Sequence, residues 1–274
     1  MGYSETAKEL NERIKLPYEE KIKITDQIVK ASLAISNKPV VASSFGKDSM
    51  VLTHLVHQYD PTVPIVFCNT GVCFKETIQY KRKMKELWNL NIIELTTDQT
   101  FWEIVKEHGY PKSSRSSKKG DKREPYCCKI LKHDPMYKFV KQYKPDMVFT
   151  GLLGDEGRQR RWAYICKGGA IYDHVAWGLK KSIPLIWWTL KDVWRYHDEN
   201  DIPRNPCYEK YSIDRTGCIP CTGHKHWEEQ LCRTFPKLYE RIQHDLGQEL
   251  ITKYIGKKYA EEYEKEMELV YKES

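Results

Sequence analysis

The sequence predicts an α/β fold, a mostly parallel sheet with helices on both faces, followed by a helical C-terminal appendage. Two observations predict it. Between residue 39 and about residue 200, short apolar runs alternate with amphipathic segments, and parallel strands joined by crossover helices require that alternation. After about Asp201 the alternation stops, and Pro, Cys and charged helical patterns follow. Composition agrees with a packed core. Hydrophobic residues are 40% of 274, with 8 Trp, 18 Tyr and 7 Phe, too apolar and aromatic for a disordered chain. No run approaches the ~18 uninterrupted apolar residues of a membrane span.

Taken in order, residues 4–35 read as helices interrupted at Pro17, because apolar positions recur at helical spacing. Pro39–Ser44 is a short buried strand entering a Gly-containing turn, and an amphipathic helix starts at Asp48. Pro64–Asn69 is the second strand and Lys75–Leu90 the next helix, with a basic outer face. Asn91–Leu95 is the third strand, Thr100–Gly109 a helix, Met147–Thr150 the fourth strand, and Ile183–Leu185 a further one. The resulting division is 1–36 N-terminal helices, 37–200 α/β domain, and 201–274 cysteine-bearing loop and terminal helices. The ligand crevice of such a sheet lies at the carboxyl ends of its strands. Ser44, Asn69 and Gly151 each follow a strand end and are expected to converge there.

The net charge is +7 and the N-terminal stretch has no apolar signal-type segment, so a cytoplasmic protein with no membrane partner is expected. Nine cysteines without an export signal point to metal or redox roles rather than a disulfide framework. Two pairs stand out, Cys127-Cys128 and Cys218-x-x-Cys221, the second beside Gly217 and Pro220. Four thiolates suffice for zinc or for an iron–sulfur cluster. Cys68, Cys166 and Cys232 read as structural, and Cys73 and Cys207 as core residues near the crevice and the cysteine loop.

Ser43-Ser44-Phe45-Gly46-Lys47-Asp48-Ser49 places small residues, a Gly, a Lys and hydroxyls between a strand and a helix. Backbone N–H groups and the helix N-terminus there favour an anion, with Lys47 neutralising it and Asp48 and Ser49 capping the helix. The spacing is not that of a Walker loop.

This loop resembles the PP-loop, of SGGKDS type, of the adenine-nucleotide alpha-hydrolase superfamily, with Phe45 in place of one of its two Gly. Asn69-Thr-Gly-Val-Cys-Phe-Lys-Glu-Thr77 resembles the DTG…FxET segment of phosphoadenosine phosphosulfate (PAPS) and adenosine phosphosulfate (APS) reductases. Gly151–Glu156 with Arg158, Arg160 and Arg161, Pro184–Trp194 and Ile202–Pro206 resemble further reductase segments in the same order. The resemblance implies the superfamily fold, with Ser43–Ser49, Asn69, Thr70, Gly71 and Gly151 around a nucleotide. It also implies a [4Fe–4S] cluster on Cys127, Cys128, Cys218 and Cys221, since Cys-Cys…Gly-Cys-x-Pro-Cys-Thr is the cluster signature of APS reductases.

The sequence departs from reductases in four places. No E-C-G-[IL]-H segment carries a nucleophilic cysteine, and Cys232 lacks those flanking residues. Lys47-Asp48-Ser49 is intact, as in members that cleave ATP. Leu153 stands where reductases carry an arginine, and Asn69 where they carry an Asp. On these departures the expected function is an ATP pyrophosphatase, similar to those of DNA phosphorothioation and to cluster-dependent tRNA thiolases. It would adenylate a nucleic acid for sulfur insertion, DNA before tRNA, with ATP, Mg2+ and the cluster as cofactors and a cysteine desulfurase as sulfur donor. Lys47, Asp48, Arg158 and Arg161 are its expected catalytic residues. The alternatives are a divergent PAPS/APS reductase using Cys232 or an external thiol, and a non-catalytic cluster-bearing nucleotide- or DNA-binding module. A homodimer is among the assemblies open to the chain. The basic loop Lys112–Arg123 suits a polyanion backbone or a solvated loop equally. Of Trp177, Trp187, Trp188 and Trp194, the last three read mainly as packing.

Overall fold

A computed structural model describes residues 3–111, 125–224 and 226–246. The basic loop Lys112–Arg123 and the chain beyond residue 246 lie outside the described residues, so the expectations placed on them stay expectations. The chain forms two compact units, Met1–Phe101 with Cys128–Gly217, and Trp102–Cys127 with Cys218–Ser274. No helix among the described residues is long and apolar enough to cross a membrane.

The elements run α1 (Tyr3–Lys15), α2 (Tyr18–Ala34), β1 (Pro39–Ala42), α3 (Lys47–His57), β2 (Ile65–Cys68), α4 (Lys75–Leu87), β3 (Ile92–Leu95) and α5 (Phe101–His108). A single turn α6 (Tyr126–Cys128) leads through a π-helical stretch, Lys129–His133, into α7 (Asp134–Tyr143). Next come β4 (Met147–Thr150), α8 (Arg158–Lys167), β5 (Ile171–His174), β6 (Leu179–Ser182) and α9 (Leu190–Glu199). Three helices close the described chain, α10 (Cys207–Tyr211), α11 (Trp227–Thr234) and α12 (Pro236–Asp245). Pro17 stands between α1 and α2 because a proline has no N–H for the helix interior but starts a new helix well.

In the first unit, six strands form one sheet in the order β3-β2-β1-β4-β6-β5. All pairings are parallel except β5 with β6. Alternate side chains of a strand point to opposite faces, and both faces are covered. Val40, Val66 and Val148 pack with Met136, Phe139 and Val140 of α7. Their neighbours Val41, Ile65, Phe67, Met147 and Phe149 join the larger core with α2, α3 and α9. This is the α/β architecture that the alternation predicts.

The expected strand at Ile183–Leu185 is absent. Those residues turn instead, with Ile186 N–H on Ile183 O at 3.2 Å and Trp188 N–H on Leu185 O at 3.0 Å. The apolar run records burial, not extension: Leu185, Ile186, Trp187 and Trp188 are all fully buried. Both indole N–H groups donate to Thr25 Oγ1, at 3.2 and 2.8 Å, and that hydroxyl donates to Pro184 O at 3.1 Å. The strand is the preceding Leu-Lys-Lys-Ser, whose lysines hide its extended pattern from a reading by hydrophobicity.

In the second unit, Trp227, Leu231, Tyr239 and Ile242 of α11 and α12 form a small core, with Tyr110, Ile219, Cys232, Phe235 and Leu238 against it. Tyr110 donates to Asp245 at 2.8 Å, and Arg241 lies over the Trp102 ring at 4.1 Å.

Candidate functional site

The chain leaves β1 through α3 to β2 on one side, while β4 lies on the other. A crevice opens where the order reverses, at the carboxyl ends of β1 and β4. Ser43–Gly46 follows β1 and Gly151 follows β4. A Cβ on Gly151 would fall 3.0 Å from Asp48 O and 3.2 Å from Ser49 N. The position therefore needs glycine, and the two strand-end loops meet as expected.

The phosphate loop holds its shape through its own hydroxyls. Phe45 N–H donates to Ser43 Oγ at 3.1 Å, Ser49 Oγ donates to Gly46 O at 2.9 Å, and Ser44 Oγ lies 3.4 Å from Ser49 Oγ. Phe45 sits at φ 54, a region disfavoured for a residue with a Cβ. Its ring is fully buried, edge-on to Phe67 at 5.5 Å, and its carbonyl accepts Asn205 Nδ2 at 3.0 Å. Packing thus holds a bulky side chain where the related loop has glycine.

Lys47 opens α3 and is buried. Its backbone N–H donates to Tyr208 Oη at 2.8 Å. Its ammonium donates to Asp48 Oδ2 at 3.3 Å and Asp214 O at 3.2 Å, and its carbonyl lies 2.9 Å from His197 Nε2. The other nitrogen of His197 lies 3.3 Å from Ile202 O, and burial lowers the His197 pKa. Asp48 Oδ1 is buried with no hydrogen-bond partner, so this carboxylate oxygen is open to a ligand donor or a cation.

Beside this loop lies a cavity of about 580 Å³, lined by Lys47, Leu153, Arg160, Trp194, Arg204, Tyr208 and Arg215 among others. The volume suits a small-molecule ligand. Arg160 is held by Glu156; burial first, then the cation of Arg215, lowers its pKa. Arg204 pairs with Asp198 at 2.5 Å and lies over Trp194 at 4.9 Å. Trp194 stands edge-on to Tyr208 at 5.2 Å, so it lines the site as well as packing.

The structure places the other sequence-derived candidates as follows. Arg158 is exposed on α8 and does not line the cavity. Arg161 donates through Nε to Gly154 O at 2.9 Å and lies 3.8 Å from Asp155. Of the three arginines, Arg160 faces the cavity. Asn69 is committed to an Asx-turn: Oδ1 accepts Gly71 N–H at 3.0 Å and Nδ2 donates to Glu94 at 2.6 Å. Thr70 is buried, with Oγ1 3.4 Å from Cys73 Sγ. Tyr208 and Arg215 escape the sequence reading, and no spacing signal marks them.

Cys218 and Cys221 form the tight turn expected of a chelating pair, with Cys221 N–H on Cys218 O at 3.3 Å. Cys127 is buried and Cys128 half-buried. Among the described residues, however, no three His, Cys, Asp or Glu side chains gather as a metal-binding group. Cys207 is fully buried, with Sγ 3.5 Å from Thr77 Oγ1. Burial pushes the Cys68 thiol up to about 11.

Residues 38–224 match the model of the phosphoadenosine phosphosulfate reductase domain. The chain belongs to that family. It is an enzyme of the PP-loop superfamily. The adenosine 5′-phosphosulfate reductase of Bacillus cereus (strain ATCC 14579) is 34% identical over 184 residues, 67% of this chain and 72% of that protein. In fold, the PAPS reductase of Candida auris aligns with 71% of this chain and 87% of its own, at TM-score 0.53 and 19% identity. The U34-tRNA thiolase NcsA of Methanococcus maripaludis, solved with its [4Fe-4S] cluster, aligns with 83% of this chain and 78% of its own, at TM-score 0.50 and 16% identity.

These findings correct the functional expectation. The intact Lys47-Asp48-Ser49 and the missing cysteine segment argued for ATP-driven sulfur insertion into a nucleic acid. The likeness over two thirds of the chain is instead to APS reductases, and three loop residues weigh less than a domain-long match. A PP-loop of that composition is therefore not diagnostic of the reaction in this reductase-family protein.

Proposed function

We propose that the chain is a divergent sulfonucleotide reductase. It binds a nucleotide of the adenosine 5′-phosphosulfate type in the cavity beside the phosphate loop and releases sulfite from it. The observation that carries this reading is positional: every residue lining the cavity, from Lys47 to Arg215, lies inside the stretch that matches the reductase family.

In the reaction, a thiolate attacks the sulfuryl sulfur and forms an S–S bond. The bond from sulfur to the bridging oxygen breaks, and the nucleoside phosphate leaves with its electron pair. A second thiolate then attacks the thiol-derived sulfur, sulfite departs with the S–S electron pair, and the two thiols end as a disulfide. Charge develops on the departing phosphate, where the Lys47 ammonium and the Arg160 guanidinium supply the compensating cations. The thiols are assigned to an external dithiol. Cys232 packs against the apolar cluster of its unit, and burial raises its pKa, which leaves it mostly protonated and a poor nucleophile.

A [4Fe–4S] cluster on Cys127, Cys128, Cys218 and Cys221 remains part of the reading through donor chemistry alone, as four thiols with one chelating pair. No step of the reaction is routed through it. Iron and acid-labile sulfide assayed after anaerobic reconstitution, in wild type and in Cys218→Ser, test it: equal content in both would remove the cluster.

The reaction is tested by incubating reconstituted protein with a dithiol and APS, PAPS or ATP. Sulfite from a sulfonucleotide is expected, with Lys47→Met and Arg160→Met each slower by roughly 10–100-fold. Diphosphate from ATP with no sulfite from either sulfonucleotide would overturn it.

A further inference from the structure

Lys47 is held at both ends of its backbone by side chains from distant helices. Its N–H donates to Tyr208 of α10 at 2.8 Å, and its carbonyl oxygen lies 2.9 Å from His197 Nε2 of α9. His197 is 1% exposed, and its Nδ1 lies 3.3 Å from the carbonyl oxygen of Ile202. Ile202 is itself fixed by its N–H, which donates to His197 O at 2.9 Å. A carbonyl oxygen only accepts, so both contacts call for an N–H from the ring. A neutral imidazole carries one N–H and one lone pair. The shorter contact assigns that proton to Nε2, donating to Lys47 O, and leaves the Nδ1 lone pair facing Ile202 O. Only the imidazolium satisfies both carbonyls.

The groups around His197 decide which form is present. Burial, first, and the Arg204 guanidinium disfavour the charged ring, while the two carbonyls and Asp48 favour it. Arg204 is paired with Asp198 at 2.5 Å. His54 of α3 feels the His197 charge, and the Trp194 ring stands 5.2 Å away. Burial prevails, so the ring of the free protein is neutral at pH 7. Lys47 and Arg204 both line the cavity beside the phosphate loop, where four carboxylates balance four cations. An anion added to a balanced site leaves it net negative and offsets the Arg204 charge at His197. A neighbouring cation is then favoured, and the second proton has Ile202 O already in place as its acceptor.

We infer that His197 is a positioning residue for the phosphate loop, fixing Lys47 through its carbonyl and taking up a proton when an anionic ligand binds. This rests on the reading that an anionic nucleotide occupies the loop, and not on the reaction that follows. The free ring titrates below the ordinary value of 6.5, and the ligand moves it upward. Affinity therefore rises as pH falls through the bound value, and levels off below the free one.

The test is calorimetric titration of the anaerobically reconstituted full chain with APS and no thiol, so that nothing is reduced. APS itself does not titrate between about pH 6 and 8, the range in which histidine does. Titrations in two buffers of different ionisation enthalpy count the protons. Wild type is expected to bind at least roughly threefold more tightly at about pH 6 than at about pH 8, with net proton uptake. His197→Leu is expected to lose roughly 10-fold or more in affinity at both pH values. His197→Gln should recover most of that loss, because its amide supplies an N–H in place of Nε2, yet show no proton uptake. If the Leu variant does not fold, the Gln variant decides, since it keeps a donor and lacks the titrating nitrogen. Equal wild-type affinity at the two pH values overturns the inference, as does uptake that persists in His197→Gln. A His197→Leu chain that binds as wild type does the same. Absence of APS binding by wild type removes the inference together with the nucleotide reading. Proton-linked binding without sulfite release on adding a dithiol would sink the reductase reading and leave His197 standing. Sulfite release with pH-independent binding does the reverse.

Discussion

The Tyr208 hydroxyl accepts the backbone N–H of Lys47 at 2.8 Å, occupying the first free amide of α3 with a side chain 161 positions away in sequence. The same oxygen would lie 3.1 Å from a Cβ on Gly46, with Thr216 Oγ1 at 3.0 Å. The residue segment 205–216 thus clamps the phosphate loop through Asn205, Tyr208, Asp214 and Thr216.

Tyr208→Phe keeps the ring against Trp194 and removes only the acceptor. An amide left without its partner costs about 1 kcal/mol, so urea unfolding should show that loss. A variant as stable as wild type would show that water replaces the hydroxyl without cost.

Phe45→Gly sets two effects against each other. Relief of the left-handed backbone is worth about 1–2 kcal/mol. Loss of a fully buried phenyl ring costs about 3–5 kcal/mol. Burial wins, and the variant should be less stable by roughly 1–4 kcal/mol, despite restoring the glycine of the related loop. A stabilised variant would mean that the strain, not the packing, dominates at this position.

Asp192→Asn breaks a pair in which Lys21 Nζ lies 2.7 Å from Asp192 Oδ2, with Lys21 buried. Removing one partner of such a pair typically costs about 3 kcal/mol, because the other charge stays behind unpaired. Burial alone would raise the Asp192 pKa, but hydrogen bonds from Lys21 and Thr189 outweigh it and hold the carboxyl below its usual range. Its contribution is present above the unfolded value, about 3.9, and is lost as pH falls through the lower folded value. The variant should therefore lose stability at neutral pH and show a shallower decline below about pH 4. An unchanged acid limb would remove Asp192 from it.

Stability should also fall between about pH 7 and pH 5. Burial lowers the pKa of His54, His57, His174 and His197. Below the unfolded value of about 6.5 the unfolded chain takes up protons that these folded imidazoles resist, and the folded state loses ground. Urea midpoints at pH 7.5 and 5.5 decide it; an equal or higher midpoint at 5.5 contradicts the expectation.

What the sequence by itself determined is whatever depends on local chain geometry. The strand–loop–helix at Pro39–His57 and the break at Pro17 were legible because each follows from neighbouring residues. The alternation of apolar runs also predicted a sheet covered on both faces. Ile183–Leu185 was misread because burial and extension leave the same apolar trace over so short a run. The tertiary structure alone decided the content of the site. Arg158, Arg160 and Arg161 lie within one turn of α8, and only the helix's orientation against the sheet selects Arg160 for the cavity. Lys47, Arg160, Tyr208 and Arg215 come from four separate elements or loops, so their convergence depends on how those segments pack. Phe45 is the sharpest case. A phenylalanine at a glycine position reads as a defect until Phe67 and Asn205 are seen to hold it, because backbone strain is local while the packing that offsets it is not.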